Sequence, residues 1–374
     1  MNAADLKETF VKRFGKNEWP VSIVRAGMPC HLLGFPDCKG SLLLSCALSL
    51  KTSLAARQTG NSHLHLETTT SNLRLDASLS KPDHFPIEDF GKTPFEKMDE
   101  MLKAGEKLCG AEFLYDNAIP NFADSEKCIA AATVLMMLSL NDSSLSPKEA
   151  VHRFACPYCF PAYLAEKKKA YIISQDNFSY EAVDFQLTGY KIILASYGVS
   201  PRSSLRSRNA QQGFALLKQS IPHLSAPEDM TLDEFNEHRK ALPDFEQQKA
   251  VAQVISENER VRMAKTALES GNLTQLGQLM NLSQQALERY SERSNKKAVT
   301  LAESAASING VLGVRMLDSV NGVISIVADD AVDEFVATVT TEFEQSVGYV
   351  PSFFITTTQS SGLEQVLTAE KQNN

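Results

Sequence analysis

Apolar and polar positions alternate with period two along several early stretches, the mark of half-buried strands. WPVSIVRAG (19–27) alternates and is expected to stop at a turn. SLLLSCALSLKTSLAARQ (41–58) reads as strand, turn, strand, and HLHLETTTSNLRLDASL (63–79) as further antiparallel strands. A Pro-, Asp- and Lys-rich loop (83–98) leads to the helix FEKMDEMLKAGEKL, and AEFLYDNAIP (111–120) is a strand. CIAAATVLMMLSL (128–140) is apolar nearly throughout, which predicts a helix buried inside a layered domain. Another helix is expected from Pro147 to Arg153, with Ser146 as its N-cap. KKAYIISQ (168–175) and YKIILASYG (190–198) are strand candidates.

From residue 201 the period lengthens to that of helices. PRSSLRSRNAQQGFALLKQS turns helical, and TLDEFNEHRKAL carries a capping-box signal at Thr231 and Glu234. FEQQKAVAQVISENERVRMAKTALESG is a long helix ended by Gly271, and two more helices follow. VLGVRML and GVISIVADD are strands, DAVDEFVATVTTEFEQSVG is a helix and PSFFITTTQ closes as a strand. Strands followed by helices in both halves, without regular βαβ alternation, predict an α+β chain. The expected division is 1–200 and 201–374, with the boundary between 180 and 215.

The chain of 374 residues is 43% hydrophobic, enough for a large core or two lobes. A net charge of -8 gives no general attraction to nucleic acid or anionic membranes, so neither is expected as a partner. No apolar run reaches the roughly 20 residues of a membrane span. The N-terminal MNAADLKETFVKRFG reads as an amphipathic helix starting near Ala4, not as a targeting signal, so a cytoplasmic location is expected. Seven cysteines argue against a disulfide framework. Cys156-Pro157-Tyr158-Cys159 follows a helix, the wrong context for a redox pair, and no second such motif exists to complete a zinc site. Buried thiols and no metal are expected.

The C-terminal half carries an ordered set of motifs. Glu257-Asn258-Glu259-Arg260-Val261 precedes Ala267-Leu268, Gly271, Gly277 and Leu279-Met280-Asn281-Leu282-Ser283-Gln284. Tyr290, Ser294, Gly313-Val314-Arg315-Met316, Gly348, Pro351 and Phe353-Phe354 follow. In this order the chain resembles the galactokinase branch of the small-metabolite (GHMP) kinases over roughly residues 10–365, with Gln284 at a family histidine. The resemblance implies a two-lobed GHMP-kinase fold. Its N-terminal lobe would be ribosomal-protein-S5-like, with a left-handed β-α-β unit around a phosphate loop. Its C-terminal lobe would be ferredoxin-like α+β, with the active site between the lobes.

The family's chemistry is phosphoryl transfer from ATP with Mg²⁺ to a sugar hydroxyl, which needs a phosphate cradle, a metal site, a charge stabiliser and a group to orient the acceptor. The sugar motif R-A-P-G-R-V-N-L-I-G-E-H-T-D-Y corresponds to Arg25 through Lys39. Arg25, Ala26, Leu32 and Gly34 are kept. Pro29 stands at the catalytic arginine and His31 at an asparagine. Phe35, Pro36 and Cys38 stand where acidic and histidine groups would bind sugar hydroxyls, and Asp37 is a candidate one-residue-shifted substitute. The phosphate loop P-x-G-x-G-L-S-S-S-A corresponds to Pro120 through Ala130, with Phe122 and Asp124 at the glycines. Asp124, Ser125 and Lys127 remain as candidate phosphate-loop groups, with an ordinary helix cap as the bland alternative. Matching C-G-I-M-D-Q-F puts Tyr158 at the catalytic base, a poor base near neutrality because tyrosine titrates near 10. In the last glycine loop, Asp318 and Ser319 replace glycines beside the phosphates. Tyr197, Arg206 and Arg208 are candidate ligand contacts.

Fold-maintaining positions are kept while the arginine, the base, the sugar ligands and both glycine loops differ. A galactokinase-like protein without sugar-phosphorylating activity is therefore expected, binding a small ligand in the interlobe cleft or acting through a protein partner, with no cofactor. The alternatives are an ATP- and Mg²⁺-dependent sugar kinase using relocated groups such as Asp37, Asp116, Asp124 and Asp318, or thiol chemistry at Cys30, Cys38 or Cys159.

Overall fold

Asn2 accepts a hydrogen bond from the Asp5 N–H and starts α1 (Ala3–Phe14), which ends at Gly15, a residue with φ of 75°. From there the structure, a computed structural model, describes residues 1–36, 38–71, 73–86, 89–119, 125–141, 143–156, 163–198, 205–221, 224, 226–290, 296–317, 321–360 and 362–364. The fold is α+β. By internal contacts it forms two units that interleave along the chain. One comprises Met1–Pro29, Ala47–Glu166 and Gln359–Asn374, the other Cys30–Cys46 and Lys167–Thr358. This differs from a single cut at residue 200, because β1 (Ser22–Leu33) and β2 (Leu42–Gln58) each run through both units.

In the first unit the sheet order is β12-β1-β2-β5-β3-β4, with β3 (His63–Thr68), β4 (Arg74–Ser78), β5 (Ala111–Asn117) and β12 (Gly362–Glu364). β3 and β5 are parallel and β2 and β5 antiparallel. α1 buries Leu6 and Phe10 against Val21, Ile23, Ala55 and Leu114. A fully buried side chain of this size contributes roughly 1.5–3 kcal/mol. Buried Arg57 finishes the helix: its two Nη groups donate to the Phe14 and Gly15 carbonyls at 2.8 and 2.7 Å, and its Nε to Glu112 at 2.7 Å. α2 (Lys92–Lys103) and α4 (Pro147–Phe154) pack on α3 (Ser125–Leu140). α3 is buried nearly all round, as its composition predicts. α4 has a complete capping box between Ser146 and Glu149.

The second unit holds a four-stranded antiparallel sheet in the order β11-β8-β10-β9, with β8 (Tyr190–Ser196), β9 (Val311–Met316), β10 (Gly322–Ala328) and β11 (Ser352–Thr356). Its remaining strands are β6 (Lys169–Ser174) and β7 (Tyr180–Asp184), the latter absent from the sequence-based expectation. Its helices are α5 (Leu205–Ser220), α6 (Leu232–His238), α7 (Phe245–Glu269), α8 (Leu273–Tyr290), α9 (Lys296–Ala306) and α10 (Val332–Val347). Thr231 caps α6 by accepting from the Glu234 N–H at 3.2 Å. Gly271 and Gly348 take φ of 69° and 90° just beyond α7 and α10, where a left-handed residue ends a helix cleanly.

Two expected turns are absent. β2 is one strand of 17 residues that changes partner along its length: Leu42–Cys46 pairs with β6 and Thr52–Gln58 with β5. The polar Ser49-Leu50-Lys51-Thr52 stretch marks that exchange, not a reversal. β1 continues past Gly27 and contains Pro29. Proline removes a ladder donor, and the described part of β12 pairs with Ile23–Arg25 only, so no bond to β12 is lost at position 29.

Candidate functional site

The segment after Cys30 is where the family motif would bind sugar, and it is held by two neighbouring residues of α7. Gly34 has φ of 93°, and a Cβ there would overlap the Leu42 carbonyl, so glycine is required. The Gly34 N–H donates to Glu257 Oε1 at 3.0 Å, and the Gly34 carbonyl accepts from Arg315 Nη2 at 2.8 Å. Asn258 accepts from the Leu42 N–H and donates to the Gly40 carbonyl, both at 2.7 Å. Ser41 Oγ accepts from the Phe35 N–H at 3.1 Å.

Glu257 and Arg315 are 0% and 1% exposed, and both are fully engaged. Glu257 Oε1 also accepts from Ser283 Oγ at 2.6 Å, and its Oε2 from Arg260 Nη1 at 2.7 Å. Arg315 Nε donates to Ser283 Oγ at 2.9 Å, and its Nη2 lies 3.6 Å from Glu257 Oε1. A buried charge is tolerated only when paired and hydrogen-bonded in this way.

Phe35 and Cys38, 2% and 1% exposed, are built into the apolar core of the second unit with Ala210, Phe214, Leu217 and Val251. The Arg315 guanidinium carbon lies 6.0 Å from the Phe35 ring centre. His31 is 5% exposed within β1. The Tyr197 ring lies tilted against Phe343 with centres 5.9 Å apart, and the Tyr197 carbonyl accepts from the Tyr349 hydroxyl at 3.0 Å. Burial pushes the Tyr197 phenol up to about 12. Arg208 is exposed on α5; the Arg206 side chain and Asp37 lie outside the described residues. The Cys46 thiol and burial push the Cys30 thiol well above its ordinary value, the opposite of an activated nucleophile.

In the first unit Pro29 is buried in β1. Ser125 is the first residue of α3 and 8% exposed; Lys127 is half-buried two residues on. Cys128 Sγ donates to the Gly27 carbonyl at 3.7 Å, fixing the start of α3 against β1. Asp116, a candidate relocated carboxylate, accepts from the Met1 ammonium at 2.9 Å and from Thr69 Oγ1 at 2.7 Å. Tyr158, Cys159, Asp124, Asp318 and Ser319 lie outside the described residues.

The motif around Gly277 acts through α8 and the edge strand β9. A Cβ at Gly277 would overlap the Leu312 carbonyl, and one at Gly313 would press on the Gly277 backbone, so helix and strand touch main chain to main chain. Asn281 Oδ1 accepts from the Val314 N–H at 2.8 Å and Gln284 Oε1 from the Met316 N–H at 2.6 Å. Two amide side chains three apart on the helix thus bond alternate N–H groups of a sheet edge and close it to further pairing. Gln284 was read only as a lost histidine. The signal for its role was the Asn-x-x-Gln spacing after a glycine that admits a strand.

One nearby acid predicts a pH effect. Glu228 Oε2 accepts from Ser174 Oγ at 2.8 Å; burial, with Asp176 and Asp229, raises it above the ordinary 4.5. The folded state therefore favours the protonated form. That contribution is complete below 4.5 and is lost as pH rises through the raised value. Glu228→Gln is expected to be modestly more stable than the parent at pH 7 in urea denaturation, with the difference closing below pH 4.5.

No family model matches the chain. It is 26% identical to the galactokinase of Clostridium perfringens over 386 residues, covering 95% of this chain and 97% of that protein. Against the galactokinase of Clostridium beijerinckii it is 26% identical over 375 residues, 94% of this chain and 96% of the other. Among solved structures, Lactococcus lactis galactokinase complexed with galactose superposes with a TM-score of 0.84 at 22% identity, covering 96% of this chain and 98% of that one. A mevalonate kinase matches at 0.60 and 12% identity, over 92% of this chain and 99% of that one. The chain is thus similar to galactokinases along nearly its whole length and shares the fold of the galactokinase and mevalonate kinase structures. The motif residues that carry the resemblance, Gly34, Glu257, Gly277, Ser283, Gly313 and Arg315, all hold the second unit together. Pro29, Phe35 and Cys38, which the resemblance sets in the sugar motif, are packed into strand or core.

Proposed function

We propose that this galactokinase homologue has lost sugar phosphorylation and keeps the fold as a binding or regulatory scaffold. The observation that carries this reading is the placement of Phe35 and Cys38. They stand at positions matched to acidic sugar ligands and are 2% and 1% exposed in an apolar core. Neither supplies a carboxylate to a sugar hydroxyl, and a site built to bond hydroxyls loses most of its affinity without them. Pro29 adds to this, since it brings no charge to the position of the catalytic arginine. The second reading, an ATP-dependent sugar kinase with relocated groups, draws support from relatives that are galactokinases over 95% of this chain. Asp116 counts against it, being committed to Met1 and Thr69.

The test is calorimetric titration of the folded protein with ATP–Mg²⁺, with and without galactose, beside a coupled assay for ADP. The expected result is no saturable heat to millimolar nucleotide and no galactose-dependent ADP. Micromolar nucleotide binding strengthened by galactose, or turnover with it, would sink the proposal.

A further inference from the structure

His63 and His65 lie on β3, two residues apart, so both project from the face opposite Leu64 and Leu66, which are fully buried. Their rings are nearly parallel, 8° between planes, with centres 6.4 Å apart. His63 is exposed and His65 half-buried. Across the antiparallel pair Asp76 is the register partner of His65, and its Oδ1 is in close contact with the His65 Nδ1. Arg74 Nε donates to the same Oδ1 at 2.8 Å, and Arg74 Nη2 lies 2.8 Å from the same ring nitrogen.

Asp76 and Arg74 both engage Nδ1, so Nε2 is the ring nitrogen left to serve as a ligand. When Nδ1 donates to Asp76, with Arg74 bonded to that carboxylate, Nε2 carries the lone pair that a metal ion needs. A carboxylate that orients a histidine through one nitrogen and raises the basicity of the other is the usual outer partner of a metal-bound histidine. Three carboxylates share this face. Asp76 is bonded to Arg74, Glu67 to Arg13 at 3.0 Å, and Glu112, the register partner of His65 on β5, to Arg57 at 2.7 Å. Each of these three carboxylates is thus paired with an arginine.

We propose that His63 and His65 form a two-histidine chelate for a borderline divalent transition ion, Zn²⁺, Ni²⁺ or Cu²⁺, on the open face of the β3–β4 hairpin. Imidazole nitrogen is a preferred donor for these ions. No third His, Cys, Asp or Glu converges on them among the described residues, so water completes the shell. Ligation at about 2.0–2.1 Å per nitrogen requires the exposed His63 ring to swing toward His65. The strand alternation of the sequence absorbed this His-x-His, which is why it carried no chemistry there. The site is independent of the kinase question.

The test titrates the full chain with ZnCl₂ and, separately, NiCl₂, read by calorimetry and thermal melting, with copper EPR counting nitrogen ligands. The expected result is saturable one-to-one binding that raises Tm. Binding is lost in His63→Ala and His65→Ala and weakened roughly 10- to 100-fold in Asp76→Asn. His63→Ala should melt like the parent without metal, because the ring is exposed, and EPR of the copper-loaded parent should count two nitrogen ligands. No saturable binding by the parent, or unchanged binding in both alanine variants, overturns the proposal.

Discussion

Replacing Arg315 by methionine is expected to destabilise the second unit by about 3–5 kcal/mol, as removal of one partner from a buried pair does. The loss reaches beyond one ion pair. Arg315 holds the Gly34 carbonyl and the Ser283 hydroxyl, and without it Glu257 stays at 0% exposure with only Arg260 as counter-charge. Because that bond to Arg260 survives, the cost should sit toward the lower end of the range. Glu257→Leu in the same chain as Arg315→Met should recover part of it, since the charge then left without its partner, Arg260, reaches solvent. The measurement is the urea midpoint of single and double variants, with hydrogen exchange at the Gly34 amide as the local reporter. Single variants that melt like the parent would show that the network is not what holds the segment.

Phe35→Glu carries the second large effect. It restores the family's acidic residue in name and is expected to cost at least the roughly 3–5 kcal/mol of truncating a buried phenylalanine. The carboxylate would enter a cluster of Phe214, Leu217 and Val251, and the Arg315 guanidinium, 6.0 Å from the Phe35 ring centre, is already engaged with Gly34, Ser283 and Glu257. The variant should unfold at lower urea and gain no galactose binding by calorimetry. A stable variant that binds galactose would mean that the side chain swings out of the core to meet the sugar, and the proposed loss of function would fail.

Strong local signals made much of the fold legible. Ser146 and Thr231 announced helix starts through their own side-chain chemistry, Gly271 and Gly348 announced stops, and the apolar run at 128–140 could only be an interior helix. Two expected turns failed, one read at a polar stretch and one at the end of an alternating run. At Ser49–Thr52 the polar stretch marks a change of partner along β2, and at Gly27 the strand continues into Pro29. Neither is visible without knowing which strands lie alongside. β7 was missed because Val183 is its one buried residue, too few to set a pattern.

At the candidate site the sequence showed which residues had changed but not what the new ones do. Losing an acid at position 35 reads as lost chemistry; that phenylalanine has become core is a property of α5 and α7, far along the chain. Gln284 is the converse case. Its identity suggested decay, whereas its amide seals a strand edge.

The interleaving of the two units also sets an order of assembly. Ile23 in β1 finds its β12 partner at Glu364, and the first unit draws on Met1–Pro29, Ala47–Glu166 and Gln359–Asn374. At roughly 5–20 residues per second of synthesis, β1 waits tens of seconds for that neighbour. The first unit is therefore completed only by the last-made of its segments, although Met1–Pro29 and Ala47–Glu166 are on hand well before. The second unit, drawing on Cys30–Cys46 and Lys167–Thr358, has every segment on hand before the first does.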